Sequence, residues 1–374
     1  MKKICYFVNS LWYFELHWLE RAKSSVAAGY EVYVLANFSK SSAESLLESG
    51  IKCINSNVHE KDMNPFVFLK DVIIAFQKLK LIDPDIIHCI TIKPSIISVI
   101  WAYLKKVKLV YSFVGLGRVF DSDKILYVML RKLIIKFYNF AFKNLECKII
   151  FEHEQDRTKI LSIVKVAKQH TVVIDGAGIN LKKFEFTEVC NNVIPKILFA
   201  GRMLRSKGVE DLIYVKKILQ LKGVEIQIDV AGILVADDDD AIPIEQINHW
   251  AQTEAINWLG QISHINLLLK QTDIVVLPSR YPEGIPRILL EAGAVGRPCV
   301  VYDTGGCGAL IINGYNGYIV EQGNVIEMAE KILKLVLDKK TRKIMGKNAR
   351  DNIINRYDSE IIIRKTLKVY NDLL

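Results

Sequence analysis

The chain has 374 residues and a mass of 42.6 kDa, a length that suits two domains of about 180 residues each and excludes a small disulfide-stapled scaffold. Hydrophobic residues make up 51% and charged residues 24%, with a mean hydropathy of +0.19, so intrinsic disorder is excluded. The net charge of +9 is uneven: residues 1–190 carry 27 Lys and Arg against 19 Asp and Glu (+8), and residues 191–374 carry 23 against 22 (+1).

The chain contains seven cysteines, an odd number with no CxxC spacing, so neither a disulfide framework nor a zinc site is predicted. The start resembles a signal peptide for four residues only, because polar side chains then interrupt it. The longest apolar stretch, Ile125 to Phe142, is interrupted by Arg131, Lys132 and Lys136, so no transmembrane helix is predicted. These features favour a cytoplasmic location.

Short apolar runs and amphipathic stretches alternate in the first half of the chain, the order that builds parallel sheets. The first run is followed by a polar turn without glycine. The predicted elements are a strand over Ile4 to Val8, a helix over Leu16 to Ala28, a strand over Glu31 to Leu35, a helix over Val67 to Lys80, a strand over Ile86 to Ile90, a helix over Pro94 to Leu104 and a strand over Lys108 to Phe113. This order predicts a doubly wound α/β domain.

The same pattern restarts in the second half, after a polar segment without periodicity at residues 175–195. The predicted elements there are a strand over Ile197 to Gly201, a helix over Val209 to Gln220 and a strand over Glu225 to Val230. The sequence therefore predicts two Rossmann-like domains, over residues 1–185 and 190–356, and a closing helix over residues 357–374.

The strongest motif begins with the apolar run Asp273 to Ser279 and continues through a turn rich in Gly and Pro. A proline at the expected first helical position predicts a helix over Arg287 to Val295. Glu283 lies in the turn and Glu291 on the helix, so both carboxylates are expected at the carboxyl edge of the sheet, where ligands bind. Free amide groups around Gly284 to Ile288 offer an anion site. This segment thus supplies acceptors for hydroxyls and donors for phosphate.

A second motif, Ala200 to Gly208, directly follows the first strand of the second domain. Gly201 allows close approach of a ligand to the backbone. Arg202 and Lys207 can neutralise a diphosphate leaving group, the first as a planar fork and the second as a point charge. The alternative explanation for either motif alone is a solvated loop, with Glu283 acting as a helix cap.

Together these motifs resemble the retaining glycosyltransferases of family 4. The resemblance rests on Gly201-Arg202 with Ser206-Lys207-Gly208, on the segment Pro282 to Ala292 with its two glutamates, and on Asn313 to Tyr318, and it spans the second domain. It implies the GT-B fold, an α/β architecture of two Rossmann-like domains facing each other across a cleft.

The resemblance also implies roles for individual residues. Arg202 and Lys207 would contact the diphosphate of a nucleotide-sugar donor, Glu283 the hydroxyls of the transferred sugar, and Glu291 the ribose. Glu283, Lys207 and Arg202 are therefore the expected catalytic residues. The expected donor site is completed by Gly201, Gln261, Ile262, Gly284, Ile285 and Pro286.

In the first domain, Asp85 to Pro94, Gly115 to Phe120 and the segment from Phe151 to Arg157 resemble bacterial enzymes that build O-antigen, capsule or glycoprotein glycans on undecaprenyl diphosphate. This resemblance implies a lipid-linked sugar as acceptor. His88 and Lys93 bracket a strand end, where they could orient the acceptor's diphosphate; the alternative for His88 is a hydrogen-bonded core histidine. The expected acceptor-binding residues are His17, Lys93, Gly115 and Gly117.

The segment 124–143 interleaves basic and aromatic side chains, a composition typical of helices that lie among the headgroups of anionic membranes. The alternative is a buried helix with a basic rim. Together with the basic first half and a lipid-linked acceptor, the pattern predicts peripheral binding to the inner face of the plasma membrane.

The function that these features and the resemblance imply is transfer of a sugar from a UDP-sugar of the Gal, GalNAc or Glc type to a sugar on undecaprenyl diphosphate, without a metal. The resemblance also implies retention of configuration. Asp121-Ser-Asp123 imitates a metal motif but is expected to cap a helix. The alternative function is a non-hydrolysing sugar-nucleotide epimerase. A nicotinamide-dependent enzyme would need a complete GxGxxG, and no nucleic-acid-binding motif is present.

Overall fold

The chain divides into two units, each built around its own parallel sheet. The first unit comprises Met1–Gly178 together with Ser359–Leu374, and the second comprises Ile179–Asp358. The computed structural model describes residues 1–38, 40–59, 64–115, 119–120, 122–190, 192–235 and 238–374.

The first unit contains a seven-stranded parallel sheet in the order β3-β2-β1-β4-β5-β6-β7. Alternate side chains of its central strand enter two different hydrophobic clusters, because successive residues of a strand face opposite sides of the sheet. Both faces are therefore covered, as in other parallel sheets. The strands are β1 Lys3–Ser10, β2 Glu31–Asn37, β3 Ile51–Asn55, β4 Ile86–Ile90, β5 Lys108–Phe113, β6 Cys147–Phe151 and β7 Thr171–Val173.

The helices of the first unit lie in the crossover connections that parallel strands need. The strand order reverses between β1 and β4, so the chain segments that follow these two neighbouring strands leave the same sheet edge in different directions. The helices are Leu11–His17, Leu19–Ala27, Lys40–Leu47, Pro65–Ile82, Ile92–Lys105, Ile125–Asn144, Glu154–Ile163 and Ser359–Asn371.

The polar turn predicted after the first strand is wrong. A helix, Leu11–His17, begins directly after β1, and Leu19–Ala27 follows it. Leu11, Phe14 and Trp18 are buried at helical spacing against the first sheet. Burial of these three apolar side chains stabilises a helix where the polar residues after the first strand had indicated a turn.

The C-terminal helix, Ser359–Asn371, packs on the first unit. Its Tyr370 hydroxyl lies 2.6 Å from Nδ1 of His88 and donates to the Tyr6 hydroxyl at 2.8 Å. His88 is fully buried, and its Nε2 lies 2.8 Å from the Ser112 hydroxyl. Burial lowers the pKa of His88 well below its usual range. The interpretation of His88 as a core histidine is therefore confirmed.

The second unit contains a six-stranded parallel sheet in the order β10-β9-β8-β11-β12-β13. Here the strand order reverses between β8 and β11. The strands are β8 Lys196–Arg202, β9 Gln227–Ile233, β10 Asn257–Gly260, β11 Ile274–Leu277, β12 Cys299–Tyr302 and β13 Gly317–Val320.

The second unit has helices on both sides of this sheet, and a large cluster of buried aliphatic side chains fills its core. Helix Arg287–Val295 is buried along almost its whole length, because it packs against β11, β12 and the helices Ile265–Lys270, Gly306–Leu310 and Lys339–Asn352. The helices are Val209–Leu221, Ile244–Gln252, Ile265–Lys270, Arg287–Val295, Gly306–Leu310, Val325–Leu337 and Lys339–Asn352. Within the described part of the chain, no helix combines the length and the apolar character needed to cross a membrane.

Candidate functional site

The candidate site of the second unit lies where β8 and β11 are neighbours. Both strands are parallel, so their carboxyl ends meet at one edge of the sheet. The segment after β8 contains a short 3-10 turn, Arg205–Lys207, and the segment after β11 contains Glu283. A topological switch point is where ligands of open α/β sheets bind.

Lys207 and Glu283 form an ion pair at this edge. The Lys207 ammonium donates to Oε1 of Glu283, and the Ser279 hydroxyl donates to the same oxygen at 2.8 Å. The Lys207 and Glu283 side chains are only 11% and 14% exposed. Solvent therefore screens the pair little, and its charges act strongly on a ligand bound beside it.

A second set of contacts fixes the loop that carries Glu283. Arg280 donates through Nη2 to both oxygens of Asp211, at 2.7 and 2.9 Å, and Asp211 also accepts from the Tyr302 hydroxyl at 2.8 Å. The backbone N–H of Arg280 donates to the carbonyl of Ser206 at 2.7 Å. The loops that carry Lys207 and Glu283 are thus joined directly.

Three glycines allow the close approach of backbone segments around Glu283. A Cβ atom on Gly208, which has a φ of +76°, would lie 2.1 Å from the Pro278 carbonyl oxygen. A Cβ on Gly305 would lie 2.4 Å from the Glu283 carbonyl oxygen, and one on Gly306 would lie 1.9 Å from that of Gly284. Because these neighbours are backbone atoms, they cannot move aside as a side chain can.

We expect Gly306→Ala to lower the free energy of unfolding by about 3 kcal/mol, because the added methyl group collides with backbone. Chemical denaturation, with the m-value checked for constancy, measures this change. Gly201→Ala is the matched control, since its Cβ would lie 3.6 Å from the nearest atom, on Phe199, and is expected to be nearly neutral. Wild-type stability of the Gly306 variant would contradict the close packing of these loops.

The structure places Arg202, the first basic residue of the second motif, at the end of β8. Arg202 is exposed, and its guanidinium pairs with no carboxylate of the described residues. Gly201 precedes it, and the protein itself leaves room for a side chain there. Arg202 at the end of β8 and Lys207 in the following turn thus present one exposed and one nearly buried cation.

The helix Arg287–Val295 begins directly after the Glu283 loop. Ile285 and Pro286 are buried, and Gly284 is partly exposed. The first amide groups of a helix have no acceptor within it, which favours an anion at this end. Gln261 and Ile262 follow β10 at one edge of the sheet and are exposed.

Glu291 lies on this helix and is 7% exposed. Its Oε1 accepts from Nε of Arg287 at 2.8 Å. Burial raises the pKa of Glu291, and the neighbouring Arg287 and Lys183 oppose part of that rise. Glu291 thus accepts from Arg287, whereas Glu283 accepts from Lys207 and Ser279.

The residues predicted to bind an acceptor lie on the first unit. Lys93, near the start of helix Ile92–Lys105, donates to Oδ2 of Asp71 at 3.2 Å and to the His59 carbonyl. His17 ends helix Leu11–His17, with its ring 4.5 Å from that of Tyr13. Gly115 follows β5 with a φ of +92°. Gly117 and Asp121 lie outside the described residues.

Sequence reasoning missed several residues that build the site. Ser279 appears only as the end of an apolar run, and its bond to Glu283 depends on the shape of the turn. The Gly305-Gly306 pair is a readable signal, since paired glycines after a strand favour close backbone approach. His59 and Asp71 carry no motif.

Within the described ranges, no three His, Cys, Asp or Glu side chains group as a metal site would require.

Two family profiles match the chain. Residues 185–352 match the family described as "Glycosyl transferases group 1", and residues 3–153 match "Glycosyl transferase 4-like". Together they cover most of both units.

Several curated relatives match over more than half of the chain. The N,N'-diacetylbacillosaminyl-diphospho-undecaprenol alpha-1,3-N-acetylgalactosaminyltransferase of Campylobacter jejuni is 30% identical over 344 residues, 88% of each chain. The UDP-Gal:alpha-D-GlcNAc-diphosphoundecaprenol alpha-1,3-galactosyltransferase of Escherichia coli is 26% identical over 321 residues, 82% of this chain and 80% of the relative.

Among solved structures, Anabaena Alr3699/HepE in complex with UDP has a TM-score of 0.76 at 18% identity, with full coverage of both chains. This similarity concerns the fold, and it confirms the predicted GT-B architecture. The family profiles and relatives confirm the predicted glycosyltransferase activity and give no support to an epimerase. The chain therefore belongs to the family 4 glycosyltransferases, which have the GT-B fold.

Proposed function

We propose that this enzyme transfers a sugar from a UDP-sugar of the Gal, GalNAc or Glc type to a sugar on undecaprenyl diphosphate, in the synthesis of a surface polysaccharide or glycan. The observation that carries the proposal is the buried Lys207–Glu283 pair at the switch point of the second sheet. The two relatives support the acceptor, since both are named for a lipid diphosphate-linked substrate. The UDP in one relative's name and in the complex of a structural neighbour supports the nucleotide.

In this proposal the donor diphosphate binds between the loop after β8 and the start of helix Arg287–Val295. Lys207 and Arg202 supply positive charge, and the helix amides supply hydrogen-bond donors. Glu283 accepts hydrogen bonds from hydroxyls of the transferred sugar, through the carboxylate oxygen that neither Lys207 nor Ser279 occupies. Glu291 binds the ribose, and Gln261 and Ile262 contact the base.

The chemical step proposed is front-face substitution with retention of configuration. The bond from the anomeric carbon to the UDP oxygen breaks while the acceptor oxygen forms a new bond on the same face. The leaving diphosphate takes the proton of the acceptor hydroxyl. Lys207 and Arg202 stabilise the charge that grows on the leaving group, which is the largest contribution expected from the protein. No metal is required in this proposal, because two cations neutralise the diphosphate.

The acceptor is proposed to bind the first unit, at the carboxyl edge of its sheet. Lys93 lies at this edge at the start of a helix, His17 follows β1, and Gly115 follows β5. Gly117 completes this proposed set. The relatives' acceptors carry a diphosphate, and a cation at a helix start is suited to bind one.

We also propose that helix Ile125–Asn144 binds the inner face of the plasma membrane. Leu133, Met129 and Phe140 on this helix are 65, 61 and 55% exposed, and the exposed Lys132 and Lys136 lie among them. The helix contains no acidic residue. An apolar surface with a basic surround is typical of helices at anionic headgroups.

Replacement of Lys132 and Lys136 by Gln is expected to weaken binding to vesicles containing phosphatidylglycerol about thirtyfold, since each basic residue contributes about 1 kcal/mol at such a surface. Vesicle flotation at low and high salt measures this partition. The control is a Lys339→Gln/Lys340→Gln protein, with two exposed lysines removed from the second unit. Equal binding by both proteins would contradict the proposed surface.

The proposed function is tested with a panel of UDP- and GDP-sugars, with and without a short-chain prenyl diphosphate sugar, in EDTA. We expect release of UDP that depends on the acceptor, together with a product one sugar heavier. Conversion of the donor without acceptor would contradict transfer, and loss of activity in EDTA would contradict independence from metal. The anomeric configuration of the product, read by NMR, tests retention.

A further inference from the structure

A buried carboxylate on the first unit holds two basic side chains at the carboxyl edge of the sheet. Asp71, on helix Pro65–Ile82, is 0% exposed. Its Oδ1 accepts from Nδ1 of His59 at 2.7 Å, and its Oδ2 accepts from Nζ of Lys93 at 3.2 Å. The backbone N–H of His59 also donates to Oδ2, at 3.2 Å. Asp71 thus joins the segment after β3 to the helix after β4.

This arrangement orients His59 toward solvent. Because Nδ1 donates to Asp71, the proton and the direction of the ring are fixed by that bond, and Nε2 points away from the carboxylate. The His59 side chain is 52% exposed, and its Nε2 makes no hydrogen bond to the described residues. The opposite nitrogen is therefore available to a ligand.

The backbone beside Lys93 is strained. Thr91 has a φ of +72° and a ψ of 164°, a region that is costly for a β-branched residue, by about 1–3 kcal/mol. Thr91 is the residue before helix Ile92–Lys105, yet its hydroxyl does not cap that helix. The Oγ1 atom is buried and has no partner among the described groups.

The neighbouring strand β1 carries a second unpartnered polar atom near its carboxyl end. Phe7 of β1 is opposite Cys89 of β4; Asn9 lies two residues further along β1, and Thr91 directly follows β4. Oδ1 of Asn9 is buried and makes no hydrogen bond to the described part of the protein. Unpaired buried polar atoms are costly, and a bound polar group would satisfy them.

We propose that His59 and Lys93, both held by the buried Asp71, bind a phosphate of the acceptor diphosphate, with Asp71 as the positioning residue. The Thr91 hydroxyl lies beside this phosphate, and the start of helix Ile92–Lys105 faces it. This inference rests on the proposed function and names the acceptor subsite within it.

A phosphate fits this subsite better than a sugar hydroxyl. The site gathers two basic side chains, His59 and Lys93, around one carboxylate, and the Lys93 ammonium supplies positive charge for an anion. A helix start adds a positive dipole end, which favours anions. The first half of the chain also carries the excess of basic residues.

The test compares two acceptors that share one sugar, on a short prenyl diphosphate and on a neutral alkyl chain. We expect His59→Gln to raise KM for the diphosphate acceptor about tenfold, with kcat and the donor KM unchanged, and to leave KM for the neutral acceptor unaltered. Asp71→Asn is expected to give the same split, because it releases both basic side chains. His249→Gln, an exposed histidine of the second unit, is the control.

An equal rise in KM for both acceptors would place the contact on the sugar and overturn the phosphate assignment, as would unchanged kinetics. If Asp71→Asn fails to fold, His59→Gln alone decides. Calorimetric binding of the prenyl diphosphate without sugar separates this inference from the proposed function. Binding that His59→Gln weakens tenfold supports the subsite even if no transfer occurs, whereas transfer by the wild type with unaltered binding by the variant overturns it.

Discussion

Lys207→Ala is expected to lower kcat for sugar transfer about a thousandfold, with a much smaller change in KM for the acceptor. The Lys207 ammonium is nearly buried, so its interaction with the leaving diphosphate is screened little by water. Removing one preorganised charge of this kind costs about 10²–10³ in rate. Release of UDP, measured in steady state with saturating donor, reads the loss directly.

Arg205→Ala is the matched control for Lys207→Ala. Arg205 belongs to the same short turn, but its guanidinium donates to Glu210 at 2.6 Å and to Gln246 at 2.9 Å, and it is about half exposed. Transfer by this variant is expected to stay within a fewfold of the wild type. A Lys207→Ala protein that folds and turns over like the wild type would overturn the assignment of the donor site.

Much of the fold is readable from the sequence because each strand is a short apolar run bounded by a turn. The predicted strands at Ile86 to Ile90 and Lys108 to Phe113, and the helix at Arg287 to Val295, coincide with the observed elements. The sequence did not predict the helix Leu11–His17. Its buried face is formed by only a few side chains, and the polar and aromatic residues among them hide the helical spacing. The secondary structure of this segment is determined by burial in the tertiary fold and not by its local composition.

Residues of the candidate site could be predicted only where they lie in a recognisable sequence motif. Glu283 and Lys207 lie in motifs with glycine and proline at fixed positions, so their loops could be placed at a sheet edge before the structure was known. The hydrogen bond between Lys207 and Glu283 joins residues 76 positions apart, and no sequence pattern predicts it. The same holds for Asp71, whose partners His59 and Lys93 lie 12 and 22 residues away. Asp71 also lies outside any glycine-containing motif that would mark it as a site residue.

Glu283→Ala is expected to reduce kcat by about a thousandfold as well, but for a different physical reason. The carboxylate accepts hydrogen bonds from hydroxyls of the transferred sugar in the proposed complex, and charged acceptors form the stronger bonds. Its loss also leaves the Lys207 ammonium without its partner, free to move from the leaving group. Acceptor-dependent UDP release measures the change, and wild-type turnover by this variant would contradict the proposed role.

A double variant separates the pair's contribution to stability from its contribution to catalysis, because stability depends on the balance of the two charges and catalysis depends on the Lys207 cation itself. Lys207→Ala alone leaves a nearly buried carboxylate unpaired, which lowers the melting temperature, and Glu283→Gln removes that charge while it keeps the side-chain shape and the bond from Ser279. Lys207→Ala/Glu283→Gln is therefore expected to regain most of the lost melting temperature and none of the lost kcat. Recovery of kcat along with stability would mean that the pair only supports the loop, and an additive loss of melting temperature would mean that the two charges do not interact.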